Sequence, residues 1–281
     1  LPLPREPPPT LKMGNEILSS LEYWLVSHPK IRTFSWIPGR TFASSPPSVA
    51  AAVIAYVSLT WLLPRLPLPY PKPYALKLVT AIHSLILVLL SLAMAIGCAL
   101  AILRSPLRRA VCFPADTRAS GPLFFWAYVF YLSKFLELGD TLLIIMSGSL
   151  KRLTFLHVYH HATVLVMCFL WLEKRQSLFP VALVTNAGVH VVMYYYYLCC
   201  AVGKRPRWKK AVTNVQIVQF VFSFAVSGWM LHSHFFQGGC CGLEAWCFNA
   251  VFNGSLLFLF LDFHVKSYRK IKEATHTHKQ S

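Results

Sequence analysis

Charged side chains are scarce in this chain of 281 residues. Asp, Glu, Lys and Arg together make up 13% of it, against about 25% in an ordinary soluble domain. No separate soluble domain and no internal repeat of obvious period is recognisable. Because hydrophobic residues reach 56% and the mean hydropathy is +0.50, the composition excludes an ordinary soluble protein and favours one that lies in a membrane.

Acidic residues are the rarest charged class, with 10 Asp and Glu against 27 Lys and Arg, so that the net charge is +17. Such an excess would suit nucleic acid, but the basic residues lie in short loops and in the C-terminal tail, as in membrane proteins generally. We therefore expect no nucleic-acid partner. Basic loops equally suit anionic membrane lipid or a phosphorylated substrate.

Seven long apolar windows together cover about half of the chain. Each is about 20 residues long, enough to cross ~30 Å of hydrocarbon. They are 47–64, 78–103, 123–146, 154–173, 178–200, 211–236 and 244–265. Lipid leaves open strand edges without hydrogen-bond partners, so each window predicts a helix. The short connections predict one compact, all-α, polytopic bundle of seven transmembrane helices, which we name spans one to seven.

The chain outside the spans forms two segments. Residues 1–46 are polar and interrupted by proline, and the first twelve, LPLPREPPPTLK, lack a starting Met, so Met13 could be the true start. We find no cleavable signal peptide and expect span one to act as the targeting signal. Residues 47–265 are the predicted transmembrane domain, and residues 266–281 are a basic tail.

The distribution of basic residues predicts the orientation of the bundle. The tail and the loop between spans five and six are rich in Lys and Arg, whereas the loop between spans six and seven, QGGCCGL, has none. The positive-inside rule places the C-terminus in the cytosol and, with seven spans, the N-terminus on the luminal side. The loop between spans two and three opposes this rule, because it would bring four arginines to the lumen: Arg104, Arg108, Arg109 and Arg118.

Three cysteines fall in the two predicted luminal loops. Cys112 lies in one loop, and Cys240 and Cys241 lie in the other. Disulfides persist in that compartment, so Cys112 can pair with Cys240 or with Cys241 and thereby join spans two and three to spans six and seven. The alternative is three free thiols.

Span three carries charged residues near its middle, in the stretch KFLELGDT. A charge at the bilayer centre costs roughly 2.5–3.5 kcal/mol on insertion scales, so such groups tend to be paired and functional. Lys134, Glu137 and Thr141 share one helix face, with Asp140 about a third of a turn away. These residues predict the lining of a polar cavity, and the alternative is an ion-pair cluster that only fixes helix packing.

Span four carries three histidines in five residues, HVYHH. His157, His160 and His161 are spaced i, i+3, i+4, which places their imidazoles within an arc of about 100°. One buried histidine would more often be an ordinary core residue. Three on one arc predict a functional site.

Spans five and six add two polar stripes. In NAGVHVVMYYYY and TNVQIVQ the residues concerned are Asn186, His190, Met193, Tyr194, Tyr196, Tyr197, Thr213, Gln216 and Gln219. The tyrosines alone could form an aromatic belt at the membrane boundary. The Thr and Gln side chains could serve only as interhelical hydrogen-bond partners. His190, in the middle of its span, argues against the belt as the whole explanation.

The histidines are compatible with two chemistries. HxxHH is a di-iron ligand spacing, as in a membrane fatty acid desaturase or hydroxylase, but no second box of this kind supplies enough ligands, so we expect no metal. Alternatively, a neutral imidazole attacks an acyl thioester while a second imidazole or a carboxylate holds its tautomer. The bundle would then accommodate the fatty chain, and basic loops, including Lys204 and Arg205, would bind the phosphates of coenzyme A.

Four stretches on successive spans carry a family resemblance. KFLELGDT, HVYHH, HVVMYYYY and TNVQIVQ resemble, in order and spacing, the KxxExxDT, HxxHH, HxxMYxYY and TxxQxxQ motifs of the ELO/ELOVL family of very-long-chain fatty acid elongases. The resemblance covers about residues 71–268. The dilysine retrieval signal of that family is only partial here, because Lys279 is preceded by Thr277 and His278.

The resemblance implies a membrane acyltransferase of the endoplasmic reticulum, a 3-oxoacyl-CoA synthase. Such an enzyme condenses a long-chain acyl-CoA with malonyl-CoA to give a 3-oxoacyl-CoA two carbons longer, carbon dioxide and CoA. Spans two to seven would form a barrel around an acyl-chain tunnel, with a luminal disulfide that matches the cysteine pairing above. No bound cofactor is implied, and a homodimer or contact with the other enzymes of the elongation cycle is compatible with the family.

The resemblance also implies residue roles. The catalytic group would comprise His157, His160, His161, His190, Lys134, Glu137 and Asp140. Either His160 or His161 would attack the acyl thioester, and His190 would orient the nucleophile or stabilise the malonyl-derived enolate. Thr141 and the polar residues of spans five and six would contact the substrates. A concerted route, with histidine acting only as a base, fits the same residues.

Overall fold

A computed structural model describes residues 9–67, 71–204 and 206–277, with side chains placed between 16 and 267. These residues fold almost entirely into helices, which confirms the predicted all-α class, and one isolated β-bridge joins Ser35 to Ser120. The α-helices are α1 Pro9–Glu22, α2 Pro29–Arg32, α3 Pro46–Leu62, α4 Pro73–Leu103, α5 Arg108–Val111, α6 Pro122–Glu137, α7 Gly139–Met146, α8 Phe155–Glu173, α9 Phe179–Ala201, α10 Lys209–Phe236 and α11 Leu243–Thr277.

Five helical segments within the described residues are long and apolar enough to cross a membrane. They are Pro46–Arg65, Pro73–Leu103, Phe155–Glu173, Lys209–Phe236 and Leu243–Ser267. The two other predicted windows are also helical: span three corresponds to α6 and α7, and span five to α9. The chain therefore has the helices of a multi-pass membrane protein.

Span three is predicted as one helix, but the structure interrupts it at Leu138, between α6 and α7. The next residue, Gly139, lies against the His83 ring of α4, and a Cβ atom added there would come within 2.9 Å of His83 Cε1. Glycine thus permits an approach that a larger residue would obstruct. The interruption lies beside the His83 ring, whose Nε2 is 3.1 Å from Asp140 Oδ1 on α7.

Local signals set where the functional helices begin. Proline occupies the first turn of α3, α4, α6 and α9, where its missing N–H costs no helical hydrogen bond. The helix that carries the three histidines, α8, begins after Thr154, whose hydroxyl accepts a hydrogen bond from the backbone N–H of His157.

Six helices follow one another in a closed series of contacts. The α4 helix packs along α9, and the contacts continue from α9 to α10, α11, α8 and α6, and from α6 back to α4. The α3 helix packs on α8. Aromatic and aliphatic side chains from these helices form the larger hydrophobic core, which includes Phe130, Leu165, Trp171, Leu183 and Phe252.

A disulfide between Cys112 and Cys240 joins the segment after α5 to the turn after α10. We call this part of the bundle the disulfide end. Cys241 is a free thiol here, and its backbone N–H donates to the Phe113 carbonyl at 2.8 Å. Of the two pairings left open by the sequence, the structure therefore contains the one with Cys240.

The N-terminal segment packs on the bundle from Tyr23 onward. Ile31 and Trp36 join the larger core, and the indole N–H of Trp36 donates to Glu173 Oε2 at 3.0 Å. The Trp126 indole N–H donates to the Leu25 carbonyl at 2.8 Å. The Trp126 ring lies against Gly97, where a larger residue would collide with it. Short apolar stretches between prolines thus anchor the N-terminal segment to the bundle, although its overall composition is polar.

Candidate active site

A buried ion pair lies at the centre of the bundle, on α6. Lys134 Nζ donates to Glu137 Oε1 at 2.7 Å, and both side chains are 1% exposed. His190 of α9 approaches the same carboxylate, with 3.4 Å between its Nδ1 and Glu137 Oε1. Burying two charges costs more than their attraction returns unless further groups surround them, so a pair in this position indicates function.

Asp140 links three helices beside that pair. Its Oδ1 lies 3.1 Å from His83 Nε2 on α4, and its Oδ2 accepts a hydrogen bond from the Tyr194 hydroxyl on α9 at 2.7 Å. Tyr194 is almost fully buried. Both carboxylate oxygens therefore have partners, which fixes the position of the α7 N-terminus against α4 and α9.

Thr141, the residue after Asp140 on α7, connects that helix to the histidines of α8. Its hydroxyl lies 2.8 Å from His157 Nε2 and 3.0 Å from the hydroxyl of Tyr56 on α3. The hydroxyl can donate to one of these partners while it accepts from the other. This short chain of hydrogen bonds sets the orientation of the His157 ring.

The three imidazoles of α8 form one group, as their spacing predicts. The ring centroids are 4.5 Å apart for His157 and His161 and 5.1 Å apart for His160 and His161. His160 also stacks on Phe252 of α11, at 6.3 Å. Within the residues that the structure describes, no three His, Cys, Asp or Glu side chains are grouped as metal ligands.

His160 lines a cavity whose walls come from α8, α9, α10 and α11. The space for the centres of water-sized molecules is about 40 Å³, within an empty volume of about 450 Å³ that includes the part open to solvent. One face of α8 supplies His160, Val164, Met167 and Trp171, spaced i, i+4, i+7, i+11. Apolar walls also come from Ala182, Phe220 and Leu256. The arrangement brings an imidazole and apolar walls to one cavity.

Two of the predicted substrate-binding residues line this cavity. The Asn186 side-chain amide donates to Gln219 Oε1 at 3.4 Å, and both side chains face the cavity. Gln216 instead donates to the Met193 sulfur at 3.5 Å. The amides therefore lie along the boundary between α9 and α10, where the sequence places two polar stripes.

The tyrosine run continues away from the cavity toward the end opposite the disulfide. The Tyr194 and Tyr197 rings are 5.8 Å apart, and Tyr196 lies 6.2 Å from Tyr197 and 5.2 Å from Trp208. Three further predicted substrate-binding positions lie outside the tyrosine run. Thr213 is buried on α10, Lys204 is exposed in the loop after α9, and Arg205 is outside the described residues.

Several site residues escape sequence reasoning. Tyr56 and His83 each stand alone in an apolar window, and Gly139 separates two recognised motif residues. The only signal for His83 was one histidine in span two without a partner nearby in sequence. Asn249 and Asn253, which also line the cavity, stand in span seven at i, i+4, but without a motif around them.

Comparison with known proteins adds an independent finding. A family model described as "ELO: GNS1/SUR4 family" matches residues 41–276. The chain is 29% identical to Fatty acid elongase 3-like of Arabidopsis thaliana over 279 residues, covering 92% of this chain and 96% of that protein. It is 30% identical to Fatty acid elongase sre1 of Dictyostelium discoideum, covering 84% and 89%, and 36% identical to Fatty acid elongase A of the same organism, covering 67% and 71%.

Proposed function

The chain belongs to the ELO (GNS1/SUR4) family of fatty acid elongases, and on this premise we propose that it catalyses the condensing step of elongation. A long-chain acyl-CoA and malonyl-CoA would give a 3-oxoacyl-CoA two carbons longer, with release of carbon dioxide and CoA. The observation that carries the proposal is the position of His160, in the lining of a cavity with apolar and amide-bearing walls and inside a buried group of imidazoles. The di-iron alternative is not favoured, since the matched relatives are elongases.

We also propose that all seven predicted spans cross the membrane of the endoplasmic reticulum. The α6 and α7 helices together would form span three, and α9, with 23 residues, would be about 34 Å long. The closed series of contacts from α4 through α9, α10, α11, α8 and α6 supports a barrel built from spans two to seven. The disulfide end would face the lumen, which suits its oxidised cysteines.

In the first half-reaction, one imidazole nitrogen of His160 attacks the thioester carbonyl. A C–N bond forms, the C–S bond breaks, and the proton from the other ring nitrogen passes to the CoA thiolate. An acyl-imidazole remains at the opening of the cavity, with the chain inside. His160 is a better candidate than His161 because His160 lines the cavity, whereas His161 lies behind it at 5.1 Å between ring centroids.

In the second half-reaction, malonyl-CoA loses carbon dioxide and its enolate attacks the acyl carbon. The new C–C bond forms, the C–N bond breaks, and the imidazolate takes a proton from solution, which restores neutral His160. His190 would orient the nucleophile or stabilise the enolate, with Glu137 3.4 Å from its ring as a fixed negative charge. Lys134 would balance that charge, and Asp140 would hold α7 in place.

The substrates themselves would be the only small molecules required, with no bound cofactor. The CoA arm would lie along Gln216 and the tyrosine run, toward the end opposite the disulfide. Basic residues of the connecting loops, with Lys204 and Arg205 among them, would attract its phosphates. Membrane lipid surrounds the enzyme, and its further partners would be the enzymes that reduce and dehydrate the product.

Release of labelled carbon dioxide tests the proposal. Purified protein is given carboxyl-labelled malonyl-CoA with acyl-CoAs of increasing chain length. We expect release that depends on acyl-CoA and peaks at one range of lengths. No release with any chain, from protein that is folded and inserted, would refute the condensing activity.

A further inference from the structure

Trp171 is the α8 residue of the cavity lining that lies farthest along the helix from His160, and we call its position the far end of the cavity. The Trp171 ring is 2% exposed and stacks on Phe130, at 5.4 Å and 12° between ring planes, and on Phe179, at 6.0 Å and 22°. These contacts hold the indole in one orientation. Asn249 of α11, 3% exposed, lines the same cavity.

Two buried polar atoms on residues of the cavity lining have no hydrogen-bond partner within the part of the chain that the structure describes. They are the indole N–H of Trp171 and the side-chain oxygen of Asn249. Nearly all buried polar groups in proteins are satisfied, so an unpaired donor and an unpaired acceptor in one cavity require an explanation. A partner that enters the cavity would supply it.

Several other polar side chains of the lining differ from these two, because they bond within the protein. Asn186 bonds to Gln219 at 3.4 Å, Asn253 donates to the Ser223 hydroxyl at 3.4 Å, and the Thr185 hydroxyl donates to the Val181 carbonyl at 3.0 Å. Among the fully buried side-chain atoms of the described lining residues, the unpaired ones are therefore those of Trp171 and Asn249.

An indole nitrogen can only donate, and an amide oxygen can only accept. A single hydroxyl within hydrogen-bond reach of both atoms satisfies both, because its oxygen accepts from the indole and its hydrogen is donated to the amide oxygen. We propose that Trp171 and Asn249 form a hydroxyl-binding subsite at the far end of the acyl cavity, and that the enzyme takes acyl chains which carry a hydroxyl near their methyl end. This inference rests on the proposed condensing function.

The geometry also indicates how far along the chain the hydroxyl would lie. Trp171 follows His160 by eleven residues, which corresponds to about 16 Å of helix. An extended carbon chain with bonds of ~1.5 Å and angles near 111° advances ~1.25 Å per bond, so the hydroxyl would be roughly 13 bonds from the acyl carbon. This distance sets the chain length to test at roughly 14 carbons.

A water molecule could supply the same hydrogen bonds as a substrate hydroxyl. The two sources predict different selectivity. If the substrate supplies the hydroxyl, a terminally hydroxylated chain is preferred over the unsubstituted chain of equal length, and the preference depends on both side chains. If water supplies it, the hydroxylated chain gains nothing.

The test is a comparison of kcat/KM for matched pairs of acyl-CoAs, terminally hydroxylated and unsubstituted, in a length series centred on roughly 14 carbons. The enzymes are wild type, Trp171→Phe, which keeps a ring between Phe130 and Phe179, and Asn249→Leu. Trp246→Phe is the matched control, since the Trp246 indole donates to Ser227 outside the cavity lining.

We expect wild type and Trp246→Phe to share a preference for the hydroxylated chain, and each cavity variant to lower that preference roughly two- to tenfold, as the loss of one hydrogen bond would. If Asn249→Leu does not fold, the preference for the hydroxylated chain measured with Trp171→Phe decides the test. Elongation of unsubstituted chains with no preference in wild type, or a preference that survives Trp171→Phe, would overturn the subsite while the condensing function stands. If wild type elongates no chain of either kind, the proposed function itself fails, and the subsite with it.

Discussion

The disulfide end and the polar centre of the bundle are stabilised by different interactions. At the disulfide end, a covalent bond and main-chain hydrogen bonds join the loops, as between Cys241 and Phe113 at 2.8 Å. In the centre, ionisable side chains join the helices, as in the pair of Lys134 and Glu137 and the contacts of Asp140. The first set of interactions favours the fold, whereas the second opposes it by burying charge. The difference indicates that the centre is built for chemistry.

Removing the proposed nucleophile gives the largest expected effect. His160→Ala should lower turnover on the order of 10⁴-fold or more, because removing one member of a catalytic unit costs about as much activity as removing the whole unit. His232→Ala is the matched control, since this histidine is exposed on α10 and its ring contact within the described residues is with Phe236, at 5.1 Å between centroids. Labelled carbon dioxide release measures both variants, and substantial turnover by folded His160→Ala would remove His160 from the mechanism.

Breaking the buried ion pair separates stability from chemistry. Glu137→Gln leaves Lys134 without its charged partner and should lower the free energy of unfolding by about 3–5 kcal/mol. The double variant Lys134→Met, Glu137→Gln removes both charges and should regain most of that stability without regaining turnover. Unfolding in graded denaturant and the condensation assay report the two properties. A stable double variant with wild-type turnover would mean that the pair only fixes packing.

A smaller effect is expected where one hydrogen bond to a buried carboxylate is lost. Tyr194→Phe removes the hydroxyl that donates to Asp140 at 2.7 Å, and a bond to a charged group contributes about 1.5–3 kcal/mol, so turnover should fall roughly 10- to 100-fold. Its neighbour Tyr195 is 52% exposed and stacks on Trp208. Tyr195→Phe should therefore retain turnover, and equal losses in the two variants would contradict a specific role for Tyr194.

The disulfide end should give the smallest effect on catalysis. The double variant Cys112→Ser, Cys240→Ser should lower the free energy of unfolding by about 2–4 kcal/mol while turnover at low temperature stays within about twofold. Cys241→Ser, at a free thiol, serves as the control. A large loss of turnover in folded disulfide variants would show that the two regions are not separable.

The sequence predicts the helical class and the identity of most central residues, because buried charges and closely spaced histidines are rare in apolar spans. It does not predict which single polar residues of other spans join them. His83 and Tyr56 meet Asp140 and Thr141 only after α3, α4 and α7 pack together, and Gly139 permits the approach of His83. The break at Leu138 and the buried contacts of Trp36 depend on tertiary packing in the same way.

The central claim is that His160 carries the acyl chain between the two half-reactions. Intact-mass measurement after incubation with acyl-CoA alone tests it most directly, on wild type, His160→Ala and His161→Ala. We predict one added acyl group on wild type and on any His161→Ala protein that folds, none on His160→Ala, and loss of the adduct when malonyl-CoA is added. Wild-type protein that releases carbon dioxide without ever carrying the adduct, or an adduct that persists on His160→Ala, would contradict the claim.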